Sequence, residues 1–448
     1  MAVISLVVLK LGLIRFATSL LVVLLAQVLN RVLIVELAIP ASLVTFSFAF
    51  QHVMTPVGLV SGYLSDKFCW GHWRRTPYIL GGMALSLAVM PLFPPWAQAW
   101  GAAPGSSSRL LEGILLFSLF GAGTTISATA VNALLVDQLP ESQRGAALSF
   151  VWILTLAGFI VGAALFQRVL PVYDGWLLQD VFHVFTLAVA LITLWGAWGV
   201  EDSQRACMLP AAPSLALRPV LGLLVQNRQA LLFFAFLAAT VFFMSIQTFI
   251  LTAFGGEALH LPVGQTAAFG MFTAYGTLGG MLAVYAIHRL VTPLTDKTVL
   301  AASLVLGALA FTALGLSAWS SGLTLVVVAL GLLGFSKGLY NVGISFLTMN
   351  LAHPLFSGVF MGLWNLISGL ALAAGEMLGG FLQEQALRLT GSVGPSYGLV
   401  FVVEGAGLLA CLLLLAALNQ DRYRQRLGEL LDPGTRGKNG KGNTAFHS

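Results

Sequence analysis

Residues 62–78 read GYLSDKFCWGHWRRTPY, a short polar turn between two long apolar runs. Asp66, Lys67, Arg74 and Arg75 crowd into it, although only 9% of the 448 residues are charged. Soluble globular chains carry roughly 25% charged residues. Here 58% of the chain is hydrophobic, and apolar runs of the length that spans a bilayer, about 20 residues, recur from end to end. The composition therefore predicts an all-α polytopic membrane protein, and the quoted turn is a loop between two of its helices.

Twelve spans are expected, at about 14–36, 43–64, 77–93, 110–136, 145–167, 181–200, 229–254, 263–288, 297–319, 323–349, 357–383 and 397–418. Gly121, Gly123, Gly276, Gly279, Gly280, Gly375, Gly379 and Gly380 fall within them, where small residues let backbones approach. Seventeen Lys and Arg residues fall on the side of the 62–78 loop; Arg31, Arg109, Arg168 and Arg388 fall on the other. The positive-inside rule makes the loop side, and both termini, cytoplasmic. The stretch around Lys10 and Arg15 lacks a small-residue cleavage site and reads as an interfacial segment leading into the first span.

The net charge of +5 lies in loops and tails, where it sets topology; it does not point to nucleic acid, and membrane lipid is the expected surrounding. Cys69, Cys207 and Cys411 are far apart and form neither a disulfide frame nor a zinc site. No phosphate loop, nucleophile elbow or HExxH motif is present, so no enzyme chemistry is expected and no metal centre.

Residues 201–228, with Pro210, Pro213 and Pro219, divide the spans into six and six. Residues 137–145 (DQLPESQRG) precede a span containing Trp152, and residues 350–358 (NLAHPLFSG) precede one containing Trp364. Such an echo marks a parallel repeat. The expected organisation is a six-helix bundle over 1–200, a cytoplasmic linker over 201–228, a second bundle over 229–418 and a cytoplasmic tail over 419–448, disordered at its end.

Gly62, Ser65, Asp66 and Lys67, followed by Arg74 and Arg75, resemble the signature loop of the major facilitator superfamily. That resemblance implies the major facilitator fold, twelve transmembrane helices in two six-helix repeats. It also implies that the Asp66 carboxylate is held by an Arg and a helix N-terminus. Arg144 matches the superfamily's second cytoplasmic loop and is the implied partner. The insertion FCWGHW between Lys67 and Arg74 departs from the superfamily's tight spacing.

A more specific resemblance lies in residues 29–37, LNRVLIVEL, with Ile39 and Pro40, and in Gly71, Trp73, Arg74, Arg75, Thr76, Pro77, Tyr78 and Ile79. These resemble the bacteriochlorophyll delivery family, the PucC and LhaA type, whose members work in light-harvesting complex assembly. The resemblance implies handling of chlorophyll or bacteriochlorophyll for antenna polypeptides in the intracytoplasmic or thylakoid photosynthetic membrane of a phototrophic bacterium. It implies light-harvesting or photosystem subunits and late pigment-synthesis enzymes as partners. Composition and periodicity alone leave two other classes open: a secondary transporter of an amphipathic solute, and a chaperone binding antenna helices through small-residue faces.

Several intramembrane polar residues stand out. Asn30, Arg31 and Glu36 end the first span, where Arg31 and Glu36 read either as a rim ion pair or as ligand contacts. Lys337 and Glu376 read either as a polar functional site or as a buried pair with each other. Glu404 shows no obvious partner. A pigment magnesium favours an imidazole ligand in an apolar pocket, and His52, beside Gln51, is the candidate, against the plainer reading of a hydrogen-bonded structural histidine.

Overall fold

A computed structural model describes residues 6–68, 70, 73–139, 141–201, 217–290, 295–320, 322–351 and 357–431. Among the described residues, twelve helices are long and apolar enough to cross a membrane. They are α1 (Leu6–Glu36), α2 (Ala41–Ser65), α3 (Thr76–Ala102), α4 (Ser107–Leu135), α5 (Phe150–Val169), α6 (Gly175–Ala197), α7 (Arg228–Glu257), α8 (Val263–Ile287), α9 (Asp296–Trp319), α10 (Leu323–Leu351), α11 (Phe360–Thr390) and α12 (Val393–Ala417). A tail helix, α13 (Gln420–Leu431), follows. The protein is an all-α integral membrane protein. The expected tail end, the prolines at 210 and 213, Cys69 and Cys207 lie outside the described residues.

The two largest departures from the expected boundaries are in α1 and α3. The segment around Lys10 and Arg15 is part of α1 rather than an interfacial lead-in, because Lys10 Nζ reaches the Trp198 carbonyl at 2.7 Å and stacks over the Trp195 ring. Helix α3 continues past residue 93 to Ala102. It absorbs Pro91, Pro94 and Pro95 through a 3-10 turn at Met90–Leu92 that places proline in the first turn of the next helical piece, where a missing N–H costs little.

Helices α2 and α7 are broken near their middles, and α1 is irregular within its second half. Helix α1 widens into π-helical segments at Leu24–Leu29 and Val32–Glu36. Helix α2 breaks at Met54, two residues before Pro56. Helix α7 turns at Ile246, between Arg228–Ser245 and Gln247–Glu257. All three line the seam between the first six and the last six helices. There α2 packs on α11, α5 on α8, and α1 on α7.

Close backbone approach explains the small residues. A Cβ on Gly380 would lie 2.4 Å from the Ala41 carbonyl, and one on Gly121 would lie 2.1 Å from the Gln51 carbonyl. Of the eight glycines singled out from sequence, only Gly279 lacks such an approach, its nearest neighbour being the Phe335 ring at 3.8 Å. Polar ties across the seam include Asn30 Nδ2 to the Phe249 carbonyl at 2.6 Å, Arg31 Nη2 to the Leu261 carbonyl at 2.8 Å, and Ser42 N to Glu384 Oε1 at 2.9 Å. These lie toward the face opposite the 62–78 loop, called here the far face. Toward the loop face, Leu59, Val60 and Tyr63 of α2 and Met361 of α11 are exposed.

Candidate functional site

The loop cluster is built around an acid that the motif did not include. Glu201, at the end of α6, accepts from the backbone N–H groups of Arg74 (2.8 Å), Arg75 (2.9 Å) and Thr76 (2.9 Å). Thr76 opens α3, so one buried carboxylate satisfies the unpaired donors of that helix's N-terminus. The Arg75 side chain bridges outward, from Nε to Asp137 Oδ2 at 3.0 Å and from Nη1 to Ser65 Oγ at 2.5 Å. Arg74 Nε donates to the Ser65 carbonyl at 3.2 Å. Trp70 and Trp73 pair through their backbones across the turn. Gly62 lies where an added Cβ would come within 3.2 Å of Thr129.

The side chains of Asp66, Lys67 and Arg144 lie outside the described residues, so the implied Asp66–Arg144 pairing falls there too. Asp137 was inside the quoted DQLPESQRG and Glu201 opened the linker. Their signal in the sequence was their place at helix ends beside a basic loop.

The C-terminal half repeats the arrangement in altered chemistry. Asn350, the counterpart of Asp137, donates to Asp296 Oδ2 at 2.6 Å at the start of α9. Lys297 donates to the Leu418 carbonyl at the end of α12. In both halves, then, the end of the sixth helix clasps the start of the third.

The second polar site lies at the seam, mid-span. His52 Nε2 is 3.4 Å from Glu376 Oε1 across the α2–α11 contact. The Glu376 side chain is 1% exposed and the His52 ring 33%. This corrects the expected Lys337–Glu376 pair: the partner of Glu376 comes from the opposite half. Lys337 on α10 instead lies in electrostatic range of Glu404 on α12. Its neighbour Tyr340 bonds Thr240 Oγ1 at 2.7 Å, while Asn341 is exposed. Gln51 is buried where Gly121 packs on its backbone.

At the far face Arg31 and Glu36 form the rim ion pair. Asn30 is fully buried and also donates to Thr252 Oγ1 at 3.0 Å. The Tyr173 phenol nearby is pushed up by burial and by the charges of Glu36 and Asp174. The first-span motif is therefore a far-face clamp, with Asn30 on α7 and Arg31 on the α7–α8 connection.

A family model described as PUCC protein matches residues 28–423. The chain belongs to the PucC family. Protein PucC of Rhodobacter capsulatus is 28% identical over 435 residues, covering 90% of each chain. A relative called bacteriochlorophyll synthase 44.5 kDa chain, also from Rhodobacter capsulatus, is 29% identical over 425 residues, covering 91% of this chain and 93% of its own. Among solved structures, the POT family transporter PepTSo matches with a TM-score of 0.70 at 12% identity, over 94% of this chain and 98% of its own. A D-xylose-proton symporter matches with a TM-score of 0.64 at 14% identity, over 91% and 95%. The chain thus has the major facilitator fold.

Proposed function

We propose that this protein is an assembly factor of the photosynthetic membrane that handles chlorophyll or bacteriochlorophyll for light-harvesting or photosystem polypeptides. The observation that carries the reading is family membership along residues 28–423, with one relative named for bacteriochlorophyll. The structure supports it through chemistry that suits an apolar cargo. Two of the helices lining the seam, α2 and α7, break near mid-span, as in membrane proteins that build binding sites there. Toward the loop face the seam helices expose Leu59, Val60, Tyr63 and Met361, and the His52 ring above them is partly open. Late pigment-synthesis enzymes and nascent antenna helices are the proposed partners, and both termini are proposed to be cytoplasmic.

Deletion of the gene tests this reading. Antenna complexes should fall while pigment synthesis continues, and the protein purified gently from its host should carry a pigment absorption band. Normal antenna levels in the deletion strain, with no second family member present, would overturn it.

A secondary transporter of an amphipathic solute is the other reading, favoured by the fold shared with solute transporters. Counterflow of a labelled solute in proteoliposomes would support it.

A further inference from the structure

We propose that His52 and Glu376 form one ligand site for the central magnesium of a tetrapyrrole. His52 Nδ1 is the ligating atom and Glu376, from the opposite half, is the positioning residue. The proposal rests on the pigment-handling reading above and adds the site, the atom and the condition under which the site exists.

A ligating histidine usually gives its other ring N–H to a carboxylate, which fixes the tautomer, orients the ring and raises its basicity. The seam offers the parts for it. Glu376 Oε1 lies 3.4 Å from Nε2, and in the proposed site it takes the Nε2 proton and leaves Nδ1 to ligate. Among the described residues Nδ1 meets no hydrogen-bond partner, and it is not sealed from solvent.

Burial is divided as ligation requires, with the carboxylate enclosed and the imidazole partly open. Other charged groups near these helices are engaged elsewhere. Glu384 accepts from Ser42 N, Lys337 faces Glu404, and Arg31 pairs with Glu36. Among the described residues Glu376 is thus left to His52, and its second oxygen, Oε2, is buried without a partner there.

The backbone holds the ring in place. His52 lies in the last turn of the first piece of α2, and its carbonyl accepts from Thr55 Oγ1 at 2.5 Å across the break before Pro56. On either side of the pair, Gly380 admits Ala41 and Gly369 admits Thr55. Those contacts clamp α2 to α11 and bring the carboxylate to the imidazole. Parting of the two helices would withdraw Glu376 from His52 and weaken the ligand. The site is therefore complete only while the halves meet on the far side, which links magnesium ligation to the conformation of the seam.

The test uses the full-length protein in lipid nanodiscs, titrated with chlorophyllide a and with its magnesium-free counterpart, pheophorbide a. Affinity is read by fluorescence quenching, and magnesium coordination by resonance Raman bands. Wild type should prefer the magnesium probe by tenfold or more. His52→Leu and His52→Gln should abolish that preference and the coordination signature while leaving binding of pheophorbide a unchanged. Glu376→Gln should weaken the magnesium probe by about 10–100-fold, with Glu376→Asp recovering part of the loss. Each variant is compared at equal monodispersity.

Equal affinity of wild type for the two probes would overturn the site, and so would wild-type behaviour of folded Glu376→Gln. If neither probe binds while gene deletion still depletes antenna complexes, the site is wrong and the assembly function stands. Magnesium-selective, His52-dependent binding beside normal antenna levels in the deletion strain would leave the site standing and the function overturned.

Discussion

Arg75 Nε donates to Asp137 Oδ2 at 3.0 Å, tying the start of α3 to the end of α4. The pair is well shielded on the Arg side and partly open on the Asp side, so its worth lies between that of exposed and fully buried pairs. In a double-mutant cycle with Arg75→Gln and Asp137→Asn, the coupling should be about 0.5–3 kcal/mol. Thermal unfolding of the four purified variants measures it. Strict additivity would show that the two residues act apart.

Glu201 holds three backbone amides at the entry to α3. Its replacement by alanine leaves those donors unpaired at a buried helix start. The expected loss is about 0.5–2 kcal/mol, the range for removing a helix N-cap. Glu201→Gln keeps an acceptor oxygen but removes the charge, so it should fall between wild type and alanine. Melting temperatures in detergent provide the ranking, and an alanine variant as stable as wild type would remove the capping role.

Tyr423 on α13 is buried, its phenol has no hydrogen-bond partner among the described residues, and burial pushes the phenol up to about 12. An unfolded tyrosine ionises near pH 10. Between those values the folded state keeps a proton that the unfolded state has lost, so stability falls as pH rises through that window. Tyr423→Phe should remove this alkaline loss. At neutral pH it should cost little, since it also removes a buried unpaired hydroxyl. Denaturation midpoints at neutral and alkaline pH make the comparison.

The spans and their pairing into two sets of six were legible because long apolar runs and basic loops are one-dimensional signals. The proline-bearing end of α3 was not, because proline tolerance depends on which turn of a helix it occupies. The signature loop could be found, but not its anchor. Glu201 lies more than a hundred residues from Arg75, and only packing of α6 beside α3 makes it the cap. The same holds for His52 and Glu376. Each was conspicuous as an intramembrane polar residue, yet pairing Glu376 with Lys337 assumed partners within one half. The seam between halves has no local sequence signal.

The basic-residue distribution predicts that the 62–78 loop and the tail face the cytoplasm. Alkaline phosphatase fused after Arg426 should be inactive. Fused within 103–106, the short connection between α3 and α4, it should be active. The reverse pattern would invert the topology and exchange the roles of the two faces.

Closure of the far face depends on Gly380. Here α11 crosses α2 so closely that an added Cβ would lie 2.4 Å from both the Ala41 carbonyl and Thr45 Oγ1. The first obstacle is backbone and cannot rotate away, so Gly380→Val must push α2 and α11 apart. The Ser42–Glu384 bond beside it should break with that movement. A cysteine at Ser42, with Cys69, Cys207 and Cys411 replaced by serine, reports the change through its rate of reaction with a membrane-impermeant maleimide. Labelling from the far face should be faster in Gly380→Val than in the parent. Gly279→Ala is the control, because its Cβ has an ordinary 3.8 Å contact with the Phe335 ring. Alanine also favours the helix by about 1 kcal/mol over glycine, so that variant should fold at least as well and label at the parental rate. Equal labelling of Gly380→Val and Gly279→Ala would mean that the α2–α11 crossing does not hold the far face shut.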